Sequence, residues 1–197
     1  MVYFGLTRFY DREDGGFFMT AEGHDPALLA RVMEDGDNVE PCASSVFVLD
    51  LLRLEQFTGR KEFRDAADKT LRRFGPRMKE FPPSLPVMLS ALDLATSKPR
   101  QVVIAGDPGS EPARAMVREV HERFLPAKLL IGLPDSGAAR ESLVRRMPFL
   151  KGMRSKDGLA RAYVCVEFNC KLPVDSPDAL GSLLDEPGAR RRGKAVP

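Results

Sequence analysis

The chain has 197 residues, enough for one large domain or for one domain with a small appendage. Hydrophobic residues make up 43% and charged residues 29%, as in ordinary globular proteins, and no apolar run approaches the ~20 residues of a membrane span. The formal net charge of +2 is concentrated in a basic tail, residues 186–197, so neither a nucleic-acid partner nor a membrane partner is expected.

The N-terminal segment is predicted to contain a partial helix and a strong turn. Residues 1–10 are apolar and aromatic without a capping residue, as at the end of a helix. Asp11-Arg12-Glu13-Asp14-Gly15-Gly16 is typical of a turn, because glycine takes positive φ freely. The carboxylates could alternatively bind a cation, although the spacing of a calcium loop is absent. Residues 27–33 are amphipathic but short.

Residues 37–45 lead into the most apolar helical run of the chain. This segment reads Asp37-Asn38-Val39-Glu40-Pro41-Cys42-Ala43-Ser44-Ser45. Ser44 or Ser45 is predicted to accept a hydrogen bond from an early backbone N–H, as the N-cap of a helix does. The following helix, residues 46–57, is apolar around much of its girth and is expected to be buried. Gly59 then favours a left-handed C-cap.

Two more helices are predicted before residue 98. Residues 60–74 have apolar side chains at helical spacing, and the short turn before them predicts an antiparallel helical hairpin. Pro82-Pro83 breaks the chain, and Ser84 is predicted to cap a third helix. That helix carries Leu85, Met88, Leu89 and Leu92.

The hydrophobic period changes after Pro99 and indicates a small α/β part. Residues 101–106 and 128–133 favour buried strands, and residues 111–125 between them favour a helix. Strand, helix and strand together predict a βαβ unit. A short helix over 138–147 and a third strand over 162–168 are also predicted. Ser176 and Pro177 then begin a last helix that ends near Leu184.

The predicted fold class is therefore mainly α with a small α/β part. Helical hairpins are expected over residues 1–98 and an α/β subdomain over 99–175. A terminal helix over 176–185 and a disordered basic tail over 186–197 complete the chain.

Asp37 and Glu40 are the candidate catalytic residues. They lie in a loop before a buried helix, where two carboxylates can act as acid and base or hold sugar hydroxyls. The alternative is structural, with Asp37 fixing a turn and Glu40 bonding loop amides. The candidate substrate-binding residues are Ser44, Ser45, Arg31 and Asp14.

The remaining chemical groups do not form a recognised site. His24 and His121 have no metal-ligand spacing, and no metal site is predicted. Gly106-Asp107-Pro108-Gly109 lies between a strand and a helix but lacks a phosphate-binding pattern, and no cofactor is predicted. Cys165 is expected in the core, with a disulfide or redox role beside Cys170 as the alternative. An odd number of cysteines favours a reducing compartment, and a cytoplasmic location is expected.

Several short motifs, in a shared order, resemble a known protein family. They include Gly15-Gly16-Phe17-Phe18, residues 37–45, Asp50-Leu51-Leu52-Arg53-Leu54, and Ala162-Tyr163-Val164-Cys165 with Cys170-Lys171-Leu172-Pro173. The family consists of large proteins with an N-terminal thioredoxin-like domain and a helical barrel, represented by bacterial YyaL and the mammalian spermatogenesis-associated homologue. The chain has Asn38, Cys42 and Ser44 where the family has glycine, serine and asparagine.

The resemblance implies part of an (α/α)6 barrel, similar to that of N-acylglucosamine 2-epimerases and six-hairpin glycosidases. Twelve barrel helices of ~12 residues each, with loops, need well over 197 residues, so only the last third is expected here. The thioredoxin-like domain would be absent. Apolar helix faces would then be exposed unless a partner chain covers them. Ser44 also removes the family's asparagine amide from the expected pocket rim.

Two functions follow from this resemblance. The first is sugar binding, with the chain as the C-terminal fragment of a carbohydrate-barrel-like protein. The chemistry would be that of an isomerase, epimerase or glycosidase, with Glu40 and Asp37 as the catalytic residues. The alternative is a non-catalytic interaction or structural module, which pairs with a separately encoded N-terminal portion or self-associates. A redox role for Cys165 and Cys170 is a third hypothesis.

Overall fold

The computed structural model describes residues 2–23 and 29–186, which fall into two compact units. The first unit holds residues 2–23, 29–55 and 60–96, and the second holds 56–59 and 97–186. About half of the chain is helical and a small sheet is present, so the predicted fold class, mainly α with a small α/β part, is confirmed. His24 and the predicted disordered tail beyond residue 186 lie outside the described residues.

Among the residues described before position 97, the structure has four helices. They are α1 (Val2–Arg8), α2 (Ala43–Thr58), α3 (Lys61–Glu80) and α4 (Pro86–Thr96), with a 3-10 turn at Pro82–Ser84. Gly59 follows α2 with a φ of +70°, as the predicted left-handed cap requires. Residues 29–33 are not helical.

Helix α3 is longer than predicted, because it continues through Pro76 to Glu80. Its buried stripe of Phe63, Ala67, Leu71 and Phe74 extends to Met78 at helical spacing. Burial of this stripe outweighs the hydrogen bond that a proline inside a helix removes. Pro76 therefore does not end this helix, which stops at Glu80 shortly before Pro82-Pro83.

The core of the first unit is formed by side chains from α2, α3 and α4 around Phe17. Leu51, Leu71 and Met88 are buried, and each comes from a different helix. The ring of Phe17 stacks on that of Phe47 with centroids 4.2 Å apart. The turn that precedes Phe17 is thus held against the helices by aromatic packing.

The second unit contains a four-stranded sheet in the order β2-β1-β3-β4. The strands are β1 (Arg100–Ala105), β2 (Leu129–Leu133), β3 (Arg161–Val166) and β4 (Asn169–Cys170). Strands β1 and β2 are parallel and are joined through α5 (Glu111–His121), so the predicted βαβ unit is confirmed. Strand β3 is antiparallel to β1, and β4 is antiparallel to β3.

Both faces of this sheet are covered. Alternate residues of β1 point to opposite faces, so Val102 and Ile104 belong to one buried cluster and Val103 and Ala105 to the other. The first cluster includes side chains of α5 and of α7 (Pro177–Asp185). The second lies under the 3-10 turn Pro148–Gly152, which follows α6 (Gly137–Arg146). Burial on both faces explains why residues 102–105 of β1 are all apolar instead of alternating with polar residues.

The predicted caps have mixed outcomes. The Ser176 hydroxyl accepts a hydrogen bond from Ala179 N at 3.3 Å, with Pro177 at the first helical position, as predicted. The prediction that Ser84 caps the third helix was wrong. Ser84 lies in the 3-10 turn, and its hydroxyl donates to Phe81 O at 2.8 Å.

Among residues 2–23 and 29–186, no helix combines the length and apolarity needed to cross a membrane.

Candidate functional site

Asp37 is bonded to the starts of two helices. Its Oδ1 accepts the backbone N–H of Cys42 at 3.0 Å, beside the start of α2, and its Oδ2 accepts that of Val87 at 2.9 Å, in the first turn of α4. Its own N–H donates to Ser84 O at 2.7 Å. A carboxylate at helix N-termini satisfies open amides and faces the positive ends of the helix dipoles. Asp37 therefore acts as a shared cap, and its catalytic role stays a prediction.

Ser44 and Ser45 are buried inside the first turn of α2. Ser44 Oγ accepts the backbone N–H of Phe17 at 2.9 Å, and Ser45 Oγ lies 3.2 Å from Cys42 Sγ. The prediction that one of them is the N-cap was wrong, because the helix begins at Ala43 and Asp37 occupies the capping role. Burial raises the pKa of the Cys42 thiol, which keeps it protonated.

Glu40 has an exposed side chain on the same loop. Its backbone oxygen accepts the N–H of Asn38 at 3.1 Å. Its carboxylate makes no hydrogen bond or ion pair with the part of the chain that the structure describes. Glu40 is therefore the candidate carboxylate whose oxygens remain open to a ligand, in contrast to Asp37.

Arg31 is committed to structural contacts. Its guanidinium donates to Thr20 O at 2.9 Å and to Arg8 O at 3.0 Å, and its Cζ lies 4.0 Å from the centroid of the Phe18 ring. These contacts hold residues 18–20 and the end of α1 together. Its predicted role in substrate binding stays untested.

Asp14 lies on the acidic turn and its side chain is 71% exposed. Within this turn, Asp11 Oδ1 accepts the N–H groups of Glu13 and Asp14 at 3.0 and 3.1 Å. Arg73 Nη1 approaches Asp11 at 3.1 Å and Asp14 at 3.6 Å. Among the described residues, no group of three or more His, Cys, Asp or Glu side chains is arranged to hold a metal ion.

An apolar cleft of about 480 Å³ opens beside the Asp37 loop. We call it the aromatic cleft and define it by Phe4, Phe9, Phe18, Met19 and Phe47. Phe4 is 60% exposed and Met19 is 54% exposed, so the cleft presents uncovered apolar surface. This size and composition are typical of sites that bind an apolar partner or ligand.

The segment that precedes α2 forms one side of the aromatic cleft and brings a carboxylate to it. Glu34, Pro41 and Ala43 also line it, and Glu40 is the chain neighbour of Pro41. No sequence pattern predicted this cleft. Phenylalanines at four separate positions gave no shared period, and only tertiary packing brings them together.

The second unit contains a disulfide, which was the alternative prediction for Cys165 and Cys170. Cys165 is buried in the core, as expected, but it is also bonded to Cys170. The Gly106–Gly109 loop closes on itself, since Asp107 Oδ1 accepts Gly109 N at 2.9 Å. Ser110, which follows it, caps α5.

Comparison with known proteins gives long matches to one set of relatives. The chain is 38% identical over 176 residues to spermatogenesis-associated protein 20 of Homo sapiens, covering 89% of this chain and 22% of that protein. The protein of the same name from Mus musculus is 35% identical over 178 residues, covering 90% and 22%. An uncharacterized protein of Caenorhabditis elegans is 28% identical over 173 residues, covering 88% and 23%.

These matches support the family that the sequence motifs suggested. The chain spans about a fifth of the length of the curated relatives it matches. No family model matches the chain, and no solved structure gives a significant match.

Proposed function

We propose that this homologue of spermatogenesis-associated protein 20 is a non-catalytic structural and interaction module. Its aromatic cleft packs against polypeptide equivalent to the remaining four fifths of its relatives. That polypeptide is either joined to this chain or separately encoded. The observation that carries the proposal is the cleft itself, an uncovered aromatic surface on a chain about a fifth as long as its relatives.

The energetics favour an apolar polypeptide as the occupant. Full burial of one large apolar side chain is worth about 1.5–3 kcal/mol, and both Phe4 and Met19 leave more than half of their surface to be buried. The four rings offer large contact areas with few rotamers to fix. We further propose that α1 to α4 form part of a larger (α/α)6 wall, as the family resemblance implies.

A binding experiment with matched variants tests the interaction. The partner is the polypeptide of the same organism that is homologous to the remaining four fifths of the relatives. Met19→Glu places a charge in the cleft beside Glu34, and we expect at least tenfold weaker binding, about 1.4 kcal/mol, because the charge is buried unpaired. Leu159→Glu is the control, since Leu159 is 55% exposed in the second unit.

The binding data would contradict this assignment if both variants weakened binding equally, or if neither variant weakened it. Either result would show that the cleft does not carry the interaction. Light scattering on the chain alone is expected to give a monomer at micromolar concentration. A stable dimer that Met19→Glu dissociates would instead identify a second copy as the occupant.

A second candidate function is sugar binding, and the position of Glu40 favours it. The Glu40 carboxylate is exposed on the loop that borders the cleft, and Glu34 lines the cleft directly. An apolar pocket of this size with a carboxylate in its lining and a second on the adjoining loop can hold a small polar ligand. Isomerase, epimerase or glycosidase chemistry would require a second acid or base, and Asp37 supplies one only by leaving its two helix amides.

A thermal-shift screen of small sugars tests this candidate. A ligand present at 100 times its Kd would stabilise the chain by about 2.7 kcal/mol. Glu40→Gln should abolish the shift without changing the melting temperature of the free chain. Glu122→Gln, an exposed carboxylate of the second unit, is the control. The candidate fails if no sugar shifts the wild-type chain, or if Glu40→Gln responds as the wild type does.

A further inference from the structure

The hairpin of β3 and β4 places two cysteines opposite each other. The register pairs Cys165 with Cys170 and Val166 with Asn169, leaving a turn of Glu167 and Phe168. Both turn residues have positive φ, 50° and 63°, as a two-residue type I′ turn requires. Lys171 N donates to Val164 O at 3.0 Å on the adjacent pair. The cysteines therefore occupy a non-hydrogen-bonded pair, where side chains come closest.

The two sulfurs of this disulfide lie in different environments. Cys165 is 0% exposed and packs in the cluster that contains Val103 and Leu150. Cys170 is exposed, on an edge strand of only two residues. An incoming thiolate must approach along the line of the S–S bond from the side of the sulfur that it attacks. Because Cys170 is exposed and Cys165 is fully buried, we expect such an approach to be open at Cys170 and blocked at Cys165.

We propose that this hairpin is a thiol–disulfide exchange site, at which an external thiolate attacks Cys170 Sγ. The new bond forms between the external sulfur and Cys170 Sγ. The bond between Cys170 and Cys165 breaks, and its electron pair goes to Cys165 Sγ, which takes up a proton. A second external thiolate then attacks the mixed disulfide and releases Cys170. The protein disulfide is reduced, and two external thiols are oxidised to one disulfide.

Exchange at this position would release only a short segment. Strand β4 is held by the disulfide and by few backbone bonds, among them Lys171 N to Val164 O. Further along, Val174 forms both backbone hydrogen bonds with Ala162, at 2.8 and 3.0 Å. The backbone pairing of β4 with β3 can therefore loosen while the chain after it stays bonded to β3.

Cys42 provides an internal control. It is buried in the first unit, and burial raises the pKa of its thiol. A buried and protonated thiol is a poor nucleophile and is closed to reagents. Any rapid thiol chemistry of the folded chain should therefore be confined to the hairpin.

The test treats the folded, oxidised, full-length chain with glutathione near pH 8, followed by acid quenching and peptide mapping. We expect a glutathione adduct on Cys170 and none on Cys165 or Cys42. Dithiothreitol, a dithiol, should give two free hairpin thiols without a lasting adduct. An adduct on Cys165, or exchange that occurs only in denaturant, would overturn the proposal.

Two variants provide an independent measurement by alkylation with iodoacetamide. In Cys165→Ser the remaining Cys170 thiol should be alkylated at least about tenfold faster than Cys165 is in Cys170→Ser, because only Cys170 is exposed. Equal rates would contradict the asymmetry on which the proposal depends.

Hydrogen exchange at the Lys171 amide should become faster on reduction of the disulfide, while that at the Val174 amide should not. A rise at both positions would refute the confined opening.

Discussion

Removal of the Asp37 carboxylate distinguishes a structural from a catalytic role for this residue. Asp37→Ala deletes the acceptor for Cys42 N and for Val87 N. Each helix cap is worth roughly 1 kcal/mol, with a range of about 0.5–2, so the loss of both should destabilise the chain by about 2 kcal/mol. For a chain of this size the melting temperature should fall by about 4–8 °C. Asp37→Asn keeps one acceptor oxygen and should lose about half as much.

Urea unfolding measures the global effect, and hydrogen exchange measures the local one. The urea midpoint should fall at an unchanged slope, which reports a change in stability alone. The amide protons of Cys42 and Val87 should exchange faster, because each loses its acceptor. The two amides lie at the starts of different helices, so a joint response identifies the shared cap.

Glu40→Ala is the matched control, because Glu40 lies on the same loop with an exposed carboxylate. Its substitution should change stability by no more than about 0.5 kcal/mol. If Asp37→Ala falls within the same limit, or leaves both amides protected, the capping argument is wrong. Asp37 would then be free for the chemistry that the sequence suggested.

Three further substitutions test other parts of the structure. Ser44→Ala leaves the buried N–H of Phe17 without its acceptor and should cost about 1–3 kcal/mol in urea unfolding, whereas Ser44→Thr should retain part of the bond. Gly15→Ala should destabilise the chain by roughly 2 kcal/mol, because Gly15 has a φ of +82° and an added Cβ would lie 2.9 Å from the backbone of α3. An unchanged stability would refute the close approach. Arg161 bonds Asp175 at 2.6 and 3.0 Å and holds the pKa of that carboxyl below its usual range. The stabilisation is therefore present above the ordinary Asp pKa of ~3.9 and is lost as pH falls through the lower folded value. In Asp175→Asn, the free energy of unfolding measured in urea should fall less steeply as the pH is lowered. An unchanged pH dependence would contradict the pairing.

Local sequence features predicted the elements that depend on neighbouring residues. The change of period after Pro99 predicted two strands and the helix between them, because a strand repeats every two residues and a helix every 3.6. Ser176 and Gly59 were predicted as helix ends because capping depends on a few adjacent residues. Motif order also suggested the family that the relatives support.

Features that join distant residues could not be predicted in this way. The cap of α4 comes from Asp37, 50 residues away from Val87, while the nearer Ser84 is bonded elsewhere. The continuation of α3 through Pro76 depends on what its apolar stripe packs against. Nothing local to either segment specifies these partners.

The sequence by itself therefore determined the fold class, the βαβ unit and the segment in which the candidate carboxylates lie. The tertiary structure decided what those residues contact. It placed the oxygens of Asp37 on two helix amides, left Glu40 exposed and assembled the aromatic cleft from separated phenylalanines. It also bonded Cys165 to Cys170 across a hairpin. The physical reason is that helix and strand periods arise from local sterics, whereas caps, clefts and disulfides depend on which distant groups packing brings within bonding distance.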